Sequence, residues 1–197
     1  MILRDLNVSR ETLDRLESYL ALLKKWNPTI NLVSKSTLAD AWNRHIEDSA
    51  QIIGLSGGEA GHWVDLGSGG GFPGMVIAIL AKELGSPKKV TLVESDLRKS
   101  TFLRTVARET GIDVDIQSER IENCRPLNAD VLSARALADL TTLLSFADRH
   151  LTDTGVCLFL KGATWRKELA NAQSSWRFDL EVAKSKTEDG PAILRIN

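Results

Sequence analysis

The stretch "WVDLGSGGGFPG", Trp63 to Gly74, gathers five of the chain's 14 glycines directly behind a short apolar run that contains one acid. Glycine admits positive φ and lets another molecule approach the backbone, at a cost in conformational entropy. The cluster is therefore either a demanding turn or a ligand cradle. It follows a candidate strand and opens the candidate helix "PGMVIAILAKEL", with Pro73 near the first turn, where its missing N–H is not needed. In an open parallel sheet that position is the ligand crevice, outside the carboxyl ends of the strands where the strand order reverses.

The residue types narrow the ligand. A dinucleotide cradle reads G-x-G-x-x-G, its second glycine leaving room for a pyrophosphate and its third allowing close helix packing. Gly67 and Gly69 meet the first two positions, but the third is Phe72, and Asp65 upstream gives D-x-G-x-G. A carboxylate at that strand end repels pyrophosphate, yet suits the amino-acid part of a cationic ligand, directly or through water. The inferred ligand is S-adenosylmethionine. Glu94 ends "KVTLVES", 20 residues after Gly74, where an acid accepts from both ribose hydroxyls of an adenosine; taken alone it is a solvent-facing strand-end acid. Ile121 and Glu122, in "IQSERIENC", fall where the adenine edge and face would lie, although by themselves they are ordinary loop residues. Arg135 ends an apolar strand in "DVLSARALADL", and a charge there is paired or functional because unpaired burial is costly; a structural pair with a nearby acid is the alternative. Lys161, in "LFLKG", faces the same crevice on this reading or is a solvated strand-end lysine.

These residues need strands to carry them. Short β-rich runs alternating with helical periods give strands near 62–67, 90–94, 112–117, 130–134 and 155–161, with helices near 73–84, 96–110, 137–150 and 164–173. Two further strands, near 176–183 and 191–197, are separated only by "SKTEDGP", too short for a helical crossover, so they should pair antiparallel. Ahead of the sheet, 9–26 reads as an amphipathic helix with Ser9 as N-cap, Leu13, Leu16, Leu20 and Leu23 on its face, and Lys24 and Lys25 in its last turn. "NPTINLVS" should break it, and a second helix should follow from about Thr37, with "GLSGGEAG" as a connector. The organisation expected is a helical extension over 1–60 and a ligand-binding α/β domain over 61–197, one compact unit.

At 197 residues the chain is too short for two typical domains, and its 43% hydrophobic and 26% charged residues are those of an ordinary soluble protein. It contains no apolar run of membrane-spanning length, and its first residues do not resemble a signal peptide, so a cytoplasmic location is expected. Cys124 and Cys157, in no C-x-x-C spacing, read as buried reduced thiols rather than a disulfide or a metal pair. A net charge of -1 excludes a nucleic-acid reader that works by bulk positive charge, but leaves a local basic face open.

The segments "NPTINLVS", "NRHIEDS", "VDLGSGGGFPG", "LVESDLRKSTFLR", "SERIE", "SARA" and "FLKG", collinear from Asn27 to Gly162, resemble the RsmG (GidB) family. The resemblance implies a class I methyltransferase, Rossmann-like, that transfers a methyl group from S-adenosylmethionine to ring nitrogen seven of a guanosine in 16S ribosomal RNA. It places cofactor contacts on Gly67, Phe72, Ile121, Glu122 and Arg135, and puts Glu94 where relatives carry a ribose-binding acid, commonly Asp. The expected partner is small-subunit ribosomal RNA, as a ribonucleoprotein or subunit particle, met by a monomer without a metal. A methyltransferase of the same fold acting on a small molecule or protein, and a non-catalytic assembly factor, are the rivals, because fold does not choose the acceptor.

The nitrogen carries an in-plane lone pair and no proton, so alignment with the methyl group is sufficient and no general base is needed. Since the product ring gains positive charge, Arg135 is assigned to positioning. On the substrate side the candidates are Asn31, Arg44, His45 and Lys161, with Arg98, Lys99, Arg104, Arg108, Arg166 and Lys167 as further cations whose alternative is solvated surface charge, the favoured reading for the four on one helix. His45 also reads as a helix-packing histidine, and Trp26 and Trp42 as core rather than base-stacking platforms.

Overall fold

A computed structural model describes residues 2–197. Seven strands, β1 (His62–Leu66), β2 (Lys89–Val93), β3 (Asp115–Gln117), β4 (Ala129–Arg135), β5 (Leu151–Lys161), β6 (Leu180–Lys184) and β7 (Ala192–Ile196), form one sheet in the order β3-β2-β1-β4-β5-β7-β6. β1 to β5 pair in parallel, while β7 runs antiparallel to both β5 and β6. The expected mostly parallel seven-stranded sheet with an antiparallel last strand and an N-terminal helical extension is the observed architecture. The chain winds outward from β1 to β3, then returns to place β4 on the other side of β1, so the order reverses between β1 and β4.

Because both faces are covered, strand residues alternate between two cores. One face carries α1 (Ile2–Asp5), α2 (Arg10–Ile30), α3 (Asp48–Ala50), α4 (Gly74–Leu84) and α5 (Leu97–Thr110), whose Leu16, Tyr19, Leu23, Ile77 and Phe102 pack with Trp63, Val131, Leu158 and Leu160 of the sheet. The opposite face carries α6 (Leu140–His150) and α7 (Trp165–Gln173) against Val64, Leu66, Leu132, Ala134, Cys157 and Phe159. This alternation decides where the strand-end charges go. Asp65 and Arg135 share parity with Trp63 and Val131 and face the helical extension; Lys161 shares parity with Cys157 and Phe159 and faces α7.

The extension differs from the sequence-based expectation. α2 does not break at "NPTINLVS": it runs through Pro28 and stops at Asn31, a left-handed cap at φ 47° whose N–H reaches Asn27 O. Pro28 falls in the last turn, where it removes a single N–H, and Asn27 Oδ1 then accepts from Val33 N at 2.8 Å. The added turn also moves Lys24 and Lys25 out of the last turn. The second helix is a 3-10 segment (Lys35–Asp40), a π turn (Trp42–Glu47) and α3 in succession. β3 is shorter than expected, and β5 starts four residues early, since Leu151 pairs with Ala129 ahead of an irregular register between Ala129 and Val131. No helix of the described residues is long and apolar enough to cross a membrane. Cys124 and Cys157 are free and buried, and burial pushes their thiols up to about 11 and about 12.

Candidate active site

The glycine loop leaves β1 at the order reversal and forms the floor of a cleft of about 660 Å³. Gly67, Gly69 and Gly71 hold φ of 62°, 55° and 93°, a conformation that L side chains rarely adopt. Other elements tie the loop down: Ser68 N donates to Val93 O at 3.0 Å, and Tyr19 of α2 donates its hydroxyl to Gly70 O. Glu94, at the end of β2, accepts from Gly69 N through Oε2 at 2.8 Å and from Asp96 N through Oε1 at 2.7 Å. Each of those oxygens keeps a lone pair for a hydroxyl.

Of the residues expected at the cofactor, Gly67, Gly69, Phe72, Glu94, Ile121, Glu122 and Arg135 line this one cleft. Asp65 does not. It is fully buried beneath the loop, its Oδ1 accepting from Ser133 Oγ at 2.7 Å, which in turn accepts from Trp63 Nε1 at 2.9 Å. Asp65 Oδ2 has no hydrogen-bond partner among the described residues and lies against Gly74, where a Cβ would come within 2.8 Å of it. Burial raises this carboxyl to about 6, against the lowering influence of Ser133, Ser68 and Gly74. Depth along the strand is the reason: Asp65 pairs with Ser133, two residues short of Arg135 on the same face, and lies against Gly74 of α4.

Phe72 proves to be a platform. Its ring stacks with Tyr19 (centroids 5.1 Å) and with His45 (4.9 Å), and the Arg135 guanidinium lies 5.1 Å from its centroid. Arg135 Nη1 donates to Asp48 Oδ2 and to Arg44 O, each at 3.2 Å, and Nη2 to His45 Nδ1 at 3.0 Å. His45 must therefore carry its proton on Nε2, which donates to Thr37 Oγ1 at 2.8 Å. Burial, then the Arg135 and Arg44 charges, push the imidazole pKa down to about 3, so it is neutral.

A second cleft, about 630 Å³, shares residues 135–138 and His45 with the first. Ala136, in this shared wall, has φ 53°, a sparsely populated conformation for a residue with a Cβ. Arg44 lines the second cleft and pairs with Glu188 at 2.6 Å. Lys161 lines it too, but is buried on the α7 side, with Nζ 2.6 Å from Glu168 and 2.7 Å from Ala138 O. It is thus neither a solvated lysine nor a free cation. Asn31 lines neither cleft. Among the helix cations, Arg98, Arg104 and Arg108 are engaged with Asp96, Ser118 and Glu109, whereas Lys99 lines the first cleft. Trp26 packs on Phe102 in the core, Trp42 is half-buried against the same cluster, and Arg166 covers Trp165. Sequence reasoning missed Tyr19 and Asp48; both sit on helical faces ahead of the sheet, and only the fold brings them to the strand ends. Among the described residues, no group of three or more His, Cys, Asp or Glu is placed to hold a metal.

Comparison with known proteins gives the family and the fold. The family model "rRNA small subunit methyltransferase G" matches residues 12–191. The chain is 54% identical, over 98% of its length and 93% of the relative's, to the Ribosomal RNA small subunit methyltransferase G of Ruegeria sp. (strain TM1040). Among solved structures, it is similar to a ribosomal protein L11 methylase from Lactobacillus delbrueckii subsp. bulgaricus, at a TM-score of 0.63 and 20% identity over 78% of each chain. It is also similar to an RNA methyltransferase from Salinibacter ruber in complex with S-adenosyl-L-homocysteine, at a TM-score of 0.55 and 16% identity over 76% of this chain and 87% of that one. Both likenesses show the fold.

Proposed function

This chain belongs to the rRNA small subunit methyltransferase G family, and we propose that it methylates ring nitrogen seven of one guanosine in 16S ribosomal RNA, using S-adenosyl-L-methionine. The observation that carries the reading is the pair of clefts sharing one wall at residues 135–138. Methyl transfer needs two ligands that meet at one point, and two clefts with a common wall supply that.

In the first cleft, Gly67 and Gly69 present backbone, and a Cβ at Gly69 would meet only Gly67 O, at 3.7 Å. Glu94 would offer carboxylate oxygens to the ribose hydroxyls, Ile121 and Glu122 would border the adenine, and Arg135 would meet the methionine carboxylate; all of them line a cleft large enough for the cofactor. Asp65 acts from beneath, by tying the end of β1 to Ser133 of β4. When bound, the cofactor supplies an electrophilic methyl group.

The second cleft takes the acceptor base. Its residues need only orient the base, because nitrogen seven attacks through a lone pair that carries no proton. Arg135 is pinned by Asp48 and His45 and serves as a positioning group. Glu168 and Glu188 on this cleft are paired with Lys161 and Arg44, so their charge is already balanced before a base arrives. Residues 1–60 form the extension that supplies Arg44, His45 and Asp48, and residues 61–197 the cofactor-binding domain. With a net charge of -1, affinity for RNA draws on a local surface and on the small-subunit particle, met in the cytoplasm by a single chain.

Mass spectrometry of 16S ribosomal RNA from a strain lacking the gene tests this reading. One missing methyl on one guanine, restored by the wild-type gene, is the expected result; an unchanged methylation profile would refute it.

A further inference from the structure

Asp48 lines the second cleft and is bonded to Arg135 in the wall that the two clefts share. Its Oδ2 accepts from Arg135 Nη1 at 3.2 Å, and its Oδ1 accepts from Thr187 Oγ1 at 2.8 Å, with Ser185 Oγ 3.5 Å away. Gln51, one turn further on, donates to the same Oδ1 at 2.8 Å and accepts from Lys186 N at 2.9 Å. One carboxylate therefore ties the wall of the first cleft to the β6–β7 loop, residues 185–191, which borders the second.

That loop has no apolar anchor. No residue from 185 to 191 belongs to either core cluster; beyond the hairpin closure at its base, Ser185 N to Pro191 O at 3.3 Å, it is held by polar bonds to the N-terminal extension, namely those of Asp48 and Gln51 and the Arg44–Glu188 pair. A segment held this way opens at lower free energy than the sheet beneath it. Its principal tie is also a tie of Arg135. Whatever fixes the guanidinium fixes Asp48, and through Oδ1 it biases the loop.

We propose that Asp48 is a positioning residue that couples the two ligands: it holds Arg135 on the cofactor side and Thr187 on the acceptor side, so that filling one cleft orders the other. This rests on the function proposed above. Linkage requires the coupling to be reciprocal, and typical couplings are roughly 5-fold to 150-fold.

The test is equilibrium dialysis of labelled S-adenosyl-L-homocysteine, with and without small ribosomal subunits from a strain that lacks the modification. The wild-type protein should bind at least about fivefold more tightly when the subunits are present. Thr187→Val, which leaves Asp48 and Arg135 in place, and Asp48→Asn should each bring that ratio close to one. Thr187→Ser, which keeps the hydroxyl, should preserve it. A purely structural tie would lower the melting temperature of Thr187→Val and leave the ratio unchanged, and that outcome overturns the proposal; so does a wild-type ratio of one, or loss of coupling in Thr187→Ser. A wild-type protein that neither binds nor methylates the subunits fails the reading of function as well. One that methylates them without coupling overturns the role of Asp48 alone.

Discussion

Arg135 donates through Nη2 to Nδ1 of His45 at 3.0 Å, so a neutral imidazole meets a guanidinium with its lone pair. The same guanidinium reaches Asp48 and the Arg44 carbonyl and lies over Phe72. Only a planar fork of donors satisfies these partners together. Arg135→Lys keeps the charge and loses the fork, so its affinity for S-adenosyl-L-homocysteine by calorimetry should fall roughly tenfold to a hundredfold. The fall should be close to that in Arg135→Ala. Wild-type affinity in Arg135→Lys would show that charge alone is enough.

His45 gives stability a pH dependence of known sign. Its folded pKa is about 3, depressed by burial, whereas the unfolded value is about 6.5. Below about pH 6.5 the unfolded chain binds the proton and the folded one does not, so stability falls on acidification toward pH 3, by up to about 1.4 kcal/mol per pH unit. In denaturant titrations, His45→Gln should show a shallower loss over this window and no difference in slope from wild type above pH 7. Parallel curves throughout would mean that the imidazole is not buried as a neutral group.

Asp65 acts in the opposite direction. Its folded pKa, about 6, lies above the ordinary 3.8, so the folded protein holds the proton more tightly, and stability falls as pH rises from about 4 to about 6. The full effect is at most about 3 kcal/mol. Asp65→Asn removes this step, so the melting temperature of the wild type relative to the variant should drop across that interval and stay level above it.

Two glycines of one loop should fail in different ways. At Gly71, a Cβ would meet Met75 Cβ at 2.9 Å and Leu103 Cδ2 at 3.0 Å, with φ at 93°; Gly71→Ala should destabilise the protein by about 1–3 kcal/mol in chemical denaturation. At Gly69 the space is open, so Gly69→Ala should cost about 1–2 kcal/mol of backbone strain and be recognised chiefly by weakened binding of S-adenosyl-L-homocysteine. Equal binding in Gly69→Ala and wild type would take Gly69 off the cofactor surface.

What could be read from the sequence was what lies close together along it. The glycine loop, Glu94, Ile121 and Glu122 follow their strands within a few residues, and periodicity placed those strands. That Arg135 and Lys161 each end a strand was readable too. Which helices cover which face was not readable, and that decided their partners: Asp48, 87 residues away, for Arg135, and Glu168 on α7 for Lys161. Phe72 looked like a third glycine replaced; it is the ring on which Tyr19, His45 and Arg135 assemble, a role that depends on contacts across the fold. Pro28 misled because a proline in a last turn and a proline that ends a helix look alike until the cap at Asn31 is seen.

The central claim is methyl transfer across the wall that the two clefts share. Purified protein, S-adenosyl-L-methionine labelled in its methyl group, and small ribosomal subunits from a strain lacking the modification test it most directly. Nuclease digestion and mass spectrometry should place the label on ring nitrogen seven of a single guanine. Label on another atom or on a ribosomal protein, or none at all with an intact cofactor-binding protein, would contradict the account.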